Sequence, residues 1–241
     1  GELLFDATQA MTKRLDTASA RIRDSEEEVF GNLRVTTTIG FGSIWLAPRL
    51  SKLYAKYPDL SIDLMLEERV LDLPMREADV AIRMKEPSQA DLVRKRLMDI
   101  RMQLFASPAY LEANGVPNSL HDLSKHRLIS QSLGVTQVSA GAMLVRELMT
   151  YDIGRSLTVN NYFGVLQSVL SDLGIGVLPD YLSQDFPQLV RVLPGTESNE
   201  VPVFLAFPEE LRGSKRVQAF RDFVVEEVVA YRKARQGAAA R

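Results

Sequence analysis

Apolar residues along this chain switch repeatedly between a period of two and a period of three to four. Leu33 to Ile39 is rich in β-branched residues and predicts a strand. It runs into Gly40-Phe41-Gly42-Ser43, after which Leu46, Leu50, Leu53, Tyr54 and Tyr57 recur at helical spacing. Leu60, Ile62, Leu64 and Leu66 then alternate as in a strand, and Ala78 to Met84 forms a short apolar run. Leu92 to Phe105 alternates basic and apolar residues as far as Ser107-Pro108. There Ser107 as N-cap, Pro108 at the first helical position and Gly115 near the C-cap predict a short helix. Residues 116–123 read as loop before a strand at Arg127 to Gln131. Residues 133–142, poor in large apolar groups, read as loop or irregular strand.

The logic then repeats. A strand from Leu157 to Asn160 leads into a helix with Val165, Leu166, Val169, Leu170 and Leu173 inside, stopped by Gly174. Ile175 to Leu178 re-enters a sheet before Pro179 breaks it, and Val203 to Phe207 is the last strand. Ser214 is placed to cap a long helix with Val217, Phe220, Val224, Val228 and Tyr231 on its apolar face. Residues 236–241 form a tail expected to be frayed and disordered. Strands alternating with helices predict an α/β fold with mostly parallel sheets.

Residues 1–30 read differently. Leu4, Met11, Leu15, Ala18 and Ile22 make a thin apolar seam on an otherwise charged helix, which Gly31-Asn32 stops. So narrow a seam is marginal alone, and a helix from a second subunit suits it better than its own domain.

Length and composition narrow the function. The chain has 241 residues, 46% of them hydrophobic and 25% charged, enough for one large domain or two small ones. Lys and Arg number 29 against 31 Asp and Glu, so no basic footprint for nucleic acid is visible. No apolar run is long enough for a bilayer, and the first residues lack a signal-peptide pattern, which predicts a cytoplasmic protein without membrane contact. The absence of cysteine excludes disulfides, thiolate nucleophiles and thiol-based redox sensing. His121 and His126 are the two histidines, predicted at the surface, and no metal-ligand spacing surrounds them. There is no P-loop and no nucleophile elbow, and Gly40-Phe41-Gly42 lacks the rest of a dinucleotide fingerprint. Glu67-Glu68 and Glu226-Glu227 read as solvated neighbours. Neither catalysis nor a cofactor is predicted.

Two strand-to-helix turns remain, Phe41 to Ile44 and Asn161 to Gly164. Amide groups at a helix start, with the positive end of the dipole, suit an anion. Thr38, Ser43, Asn160 and Asn161 add short polar side chains. Ser43 and Asn161 also read as ordinary caps worth about 1 kcal/mol each.

Several stretches in order resemble the C-terminal part of LysR-type transcriptional regulators. Gly1-Glu2-Leu3-Leu4-Phe5 looks like the end of that family's winged helix-turn-helix. Gly31-Asn32-Leu33-Arg34-Val35, Leu46-Ala47-Pro48-Arg49-Leu50 and Tyr57-Pro58-Asp59-Leu60 resemble the start of its effector domain. Ala78-Asp79-Val80-Ala81-Ile82-Arg83 follows. The most specific segment is Phe105-Ala106-Ser107-Pro108-Ala109-Tyr110-Leu111 with Gly115-Val116-Pro117 and Leu120-His121-Asp122-Leu123, and Asp172 to Pro179 completes the set.

The resemblance implies two α/β subdomains of periplasmic-binding-protein type with a ligand cleft between them, preceded by a long linker helix. The linker would be residues 1–30, the first subdomain 33–102 and 203–235, and the second 103–202. It further implies a homodimer or homotetramer in which a small polar or anionic effector alters subunit geometry. DNA would be met only through the reading module that precedes Gly1 in the family. By position, Thr38, Phe41, Ser43, Arg83, Ser132, Asn160, Asn161 and Pro179 match effector contacts. Arg83 could instead pair with Asp79 or Glu86. The alternative is a solute-binding protein of the same architecture, which would have no need of the seam on residues 1–30. An enzyme on this fold is disfavoured by the scarcity of His and the absence of Cys.

Overall fold

The computed structural model describes residue 8 and residues 29–68, 73, 77–89, 91–132 and 140–239. The helix expected over residues 1–30 lies outside these apart from positions 8, 29 and 30. The chain forms two compact units. One comprises residues up to Thr37, Arg49–Leu97 and the chain from Phe204, the other Thr38–Pro48 and Met98–Val203. Thr38–Pro48 thus groups with the second unit, although by sequence it counts with the first subdomain. The packing explains this, because Phe41 meets Tyr181 of the second unit edge to face at 5.7 Å.

In the first unit, β1 (Gly31–Thr37), β2 (Leu60–Leu66), β3 (Val80–Arg83), β4 (Leu92–Ile100) and β10 (Val201–Pro208) form a sheet in the order β2-β1-β3-β10-β4. Strand β1 runs parallel to β2 and β3, while β10 runs antiparallel to the central β3. Leu33 and Val35 are buried, as are Thr36 and Thr37 at the strand's carboxyl end. Helix α1 (Leu50–Lys56) buries Leu50 and Leu53 but exposes Tyr54, which the helical spacing had placed on the same face. The long helix α6 (Lys215–Ala239) buries all five of its predicted apolar residues, Val217, Phe220, Val224, Val228 and Tyr231. Lys52 Nζ donates to Glu227 at 2.7 and 2.8 Å, tying α1 to α6.

Both ends of α6 depart from expectation. Ser214 Oγ is buried without a partner and so does not cap, and the helix opens instead with the Gln218 amide on the Ser214 carbonyl. The helix also continues to Ala239 through residues expected to fray, consistent with the high helical propensity of alanine there.

The second unit carries β5 (Met102–Ala106), β6 (Arg127–Gln131), β7 (Arg155–Val159), β8 (Ile175–Pro179) and β9 (Val190–Glu197), ordered β7-β6-β8-β5-β9. Strand β6 is parallel to β7 and β8, whereas β5 is antiparallel to β8 and β9. Both sheets are therefore mixed rather than mostly parallel. Helix α2 (Pro108–Asn114) has the predicted cap: Ser107 Oγ accepts from the Tyr110 amide at 3.1 Å and donates to Asp172 at 2.5 Å. Gly115 closes that helix with φ +84°, a conformation side chains resist. Helix α3 (Ala140–Leu148), helix α4 (Tyr162–Leu170) and the short α5 (Leu182–Asp185) complete the unit. Leu104, Leu128, Leu144, Leu148, Ile175 and Val177 form its core.

Local expectations fail here in instructive ways. Helix α4 ends at Leu170 through Asp172 in the left-handed region, not at Gly174. Gly174 is needed for another reason: a Cβ there would lie 2.4 Å from the Arg127 carbonyl oxygen. Leu173, expected inside, is exposed. His126, expected at the surface, is 4% exposed and puts Nδ1 at 3.2 Å from the Tyr110 hydroxyl. Among the described residues no group of His, Asp and Glu is placed to hold a metal, and no helix is long and apolar enough to cross a membrane.

Candidate functional site

In the second unit, the carboxyl ends of the parallel strands β6, β7 and β8 share one edge of the sheet. Such edges are where α/β proteins hold polar ligands, because loops and helix starts collect there. Ser132 follows β6, and its amide donates to the Val159 carbonyl at the end of β7 at 2.6 Å. Asn160 and Asn161 follow β7. The Asn160 carbonyl accepts from Gln131 Nε2 at 3.2 Å, and its side-chain oxygen accepts from Asn161 Nδ2 at 2.8 Å. Pro179 is the last residue of β8. Four predicted residues therefore stand at one strand edge.

The turn after β1 joins them. Gly40 approaches the start of α4 so closely that a Cβ on it would lie 2.8 Å from Tyr162 Cβ. Thr38, Phe41 and Ser43 flank that contact in sequence. Phe41 is 1% exposed, stacked on Trp45 at 4.8 Å, so its ring is a packing group rather than an open ligand contact. Ser43 Oγ donates to the Ile39 carbonyl at 2.6 Å. Residues Phe41–Leu46 wind as a wide π-type helix, a distortion frequent at functional sites.

The amide donors differ in part from expectation. The helix after β1 starts earlier than Phe41, and the Gly42 amide is taken by the Thr38 carbonyl at 2.9 Å. At α4 the Gly164 amide is taken by Asn161 Oδ1 at 2.8 Å, so Asn161 acts as the helix cap. Asn161 is thus the expected cap, whereas Ser43 is not one: its hydroxyl bonds back to the Ile39 carbonyl and no side chain caps that helix.

Arg83 belongs to the first unit. It is 6% exposed at the end of β3, donating to Thr36 Oγ1 at 2.7 Å and to the Glu67 carbonyl at 3.0 Å. Burial lowers its pKa, opposed by the charges of Glu68 and Glu67. Asp79, one of its possible partners, is held by Arg34 instead, through the Arg34 amide at 2.8 Å and the guanidinium at 3.5 Å. A cavity of about 100 Å³ beside Arg83 is walled also by Lys85, Glu86, Ser88 and Gln89. It is smaller than the several hundred Å³ usual for metabolite pockets. A larger cavity in the same unit, about 500 Å³, is lined by Asp91, Pro208, Glu209 and Glu210, and its carboxylates suit no anion.

One further charged group lies in the second unit. Burial pushes the Glu197 carboxyl up, but bonds from Arg101 and Gln103 and the charges of Arg101 and Arg191 outweigh it and hold it below the usual range. Its charge is consumed internally, so it offers little to a ligand. Residues that sequence reasoning missed are Gly40 as a contact point, Tyr162, Gly141 and Tyr181. Only Tyr162 carried any signal, as the neighbour of Asn161; the others matter through tertiary approach.

Relatives agree on the family. The chain is 28% identical to the regulator PtxR of Pseudomonas aeruginosa, over 95% of this chain and 74% of that protein. The fold is similar to the solved CrgA regulatory domain from Neisseria meningitidis, with TM-score 0.68 and 25% identity over 83% of this chain and 99% of that one. It is also similar to the effector domain of AmpR of Pseudomonas aeruginosa, with TM-score 0.65 and 18% identity over 86% and 100% of the two chains. The family model described as the LysR substrate binding domain matches residues 26–229, and the chain belongs to that family, carrying the ligand-binding domain of a LysR-type transcriptional regulator.

Proposed function

We propose that this domain senses a small polar or anionic effector, held by Thr38, Ser43, Ser132, Asn160, Asn161 and Pro179, with Phe41 packed behind the turn after β1. Effector binding changes the geometry of a homodimer or homotetramer in the cytoplasm and so moves DNA-reading domains. DNA is contacted through those domains alone. The observation that carries the reading is the approach of Gly40 to Tyr162, which brings the turn after β1 against the turn that holds Asn160 and Asn161. Hydroxyl and amide side chains gathered at a strand edge supply both donors and acceptors, which suits carboxylates, amino acids and sugar derivatives.

The test is thermal unfolding with a panel of such metabolites. A ligand at a hundred times its dissociation constant stabilises the folded state by about 2.7 kcal/mol. Asn160→Ala should reduce that ligand-dependent gain while leaving the unliganded protein nearly as stable, since Asn160 is exposed. A panel that stabilises wild type and Asn160→Ala equally would remove Asn160 from the site.

A further inference from the structure

The side chain of Tyr162 runs between two glycines. A Cβ added at Gly40 would lie 2.8 Å from Tyr162 Cβ, and one added at Gly141 would lie 3.0 Å from the Tyr162 hydroxyl oxygen. The ring therefore reaches from the turn after β1 to the first turn of α3. It packs on the core that holds Met102, Leu144 and Leu148. Met102 backs its far end, with Cγ at 3.1 Å from the added Gly141 Cβ. Neither Gly40 nor Gly141 has a positive φ, so what demands glycine at both positions is space and not backbone conformation.

We propose that Tyr162 is a positioning residue. Clamped between Gly40 and Gly141, it sets the distance between the Thr38–Ser43 turn and the Asn160–Asn161 pair, and with it the size of polar group that both can hold. The proposal rests on the effector-site reading above. A Cβ at 2.8 Å cannot be accommodated without movement, and the atom it meets is next to the backbone, so Gly40→Ala must push the turn and the start of α4 apart. With Tyr162 Cβ removed, the nearest remaining Tyr162 backbone atom is Cα at 3.7 Å, an ordinary contact. Gly40→Ala combined with Tyr162→Gly therefore relieves the overlap. At the other end, Gly141→Ala meets the hydroxyl tip, and Tyr162→Phe removes that contact.

The experiment is amide ¹H–¹⁵N spectra of the whole chain and its variants, with inorganic phosphate, acetate and succinate titrated as probes. Gly40→Ala is expected to shift the amides of Ile44 and Gly164 and to weaken whichever probe binds. Adding Tyr162→Gly should return the Ile44 amide toward wild type, since the overlap is gone, but not the affinity, since the spacer is gone with it. Gly141→Ala should act more weakly and be reversed by Tyr162→Phe, a rescue that simple loss of stability does not produce. Unchanged amides in Gly40→Ala, an Ile44 shift that Tyr162→Gly fails to reverse, or wild-type affinity in the Gly40→Ala and Tyr162→Gly double variant overturns the clamp. If Gly40→Ala does not fold, the Gly141→Ala and Tyr162→Phe pair decides by the presence or absence of its rescue. If no probe moves an amide in residues 38–44 or 160–164 of wild type, the effector-site reading fails. The clamp itself is still decided by the amide shifts, which need no ligand.

Discussion

At the scale of single residues, two side chains missed or misplaced by sequence reasoning set clear expectations. Gly174→Ala would put a methyl group 2.4 Å from the Arg127 carbonyl, a backbone atom with no freedom to swing away. The cost should be about 1–3 kcal/mol, the usual range for overpacking, read as a lowered urea midpoint with an unchanged slope. His126 makes a pH-dependent contribution. Burial lowers its pKa below 6.5; the charge of Asp122 opposes this and that of Lys125 adds to it. The Tyr110 hydroxyl accepts from the Arg127 amide at 3.2 Å and lies 3.2 Å from His126 Nδ1, a partner that the neutral ring can use as donor or acceptor. Below pH 6.5 the unfolded chain then binds more protons than the folded one, and stability falls as pH drops. Denaturation across that window should show the slope in wild type and a flatter one in His126→Gln. Equal slopes would mean that His126 does not titrate between the two states.

At the scale of elements, Ser107 is a joint. It caps α2 through the Tyr110 amide and holds Asp172 in the turn after α4. Ser107→Ala should cost about 1 kcal/mol for the cap alone. Asp172→Ala, which spares the cap, should cost less; the reverse order would show that the tie to the second turn dominates. Much of this level was legible in the chain. The α6 stripe and the Ser107-Pro108 helix start were readable because each depends on neighbours within a turn or two. The missed elements depend on more distant partners. Strand β9 contains Pro194 and Gly195, which argue against a strand unless an edge position tolerates them. Helix α3 opens with Ala140-Gly141-Ala142, small residues that resemble a loop until Tyr162 and Met102 pack against Gly141. Nothing in the alternation of Leu92 to Phe105 marks the break at Arg101, where β4 gives way to β5. Of the site, the polar residues were legible as types in turns. Which role each plays was not, since Ser43 and Asn161 look the same whether they bind backbone or ligand: Asn161 caps α4, while Ser43 bonds back to the Ile39 carbonyl.

At the scale of the whole molecule, the family assignment and the strand-edge cluster support a sensor whose output depends on a ligand. The most direct test is the ligand-dependent rise in melting temperature for wild type, Ser43→Ala and Asn161→Ala, each compared with its own unliganded form so that the cap lost at Asn161 cancels. The expected result is a small polar or anionic compound that stabilises wild type by about 2.7 kcal/mol at a hundred times its dissociation constant, with most of that gain gone in both variants. A stabilising compound whose effect survives intact in both would contradict the assignment of the turn after β1 and the start of α4 as the place where this domain holds its effector.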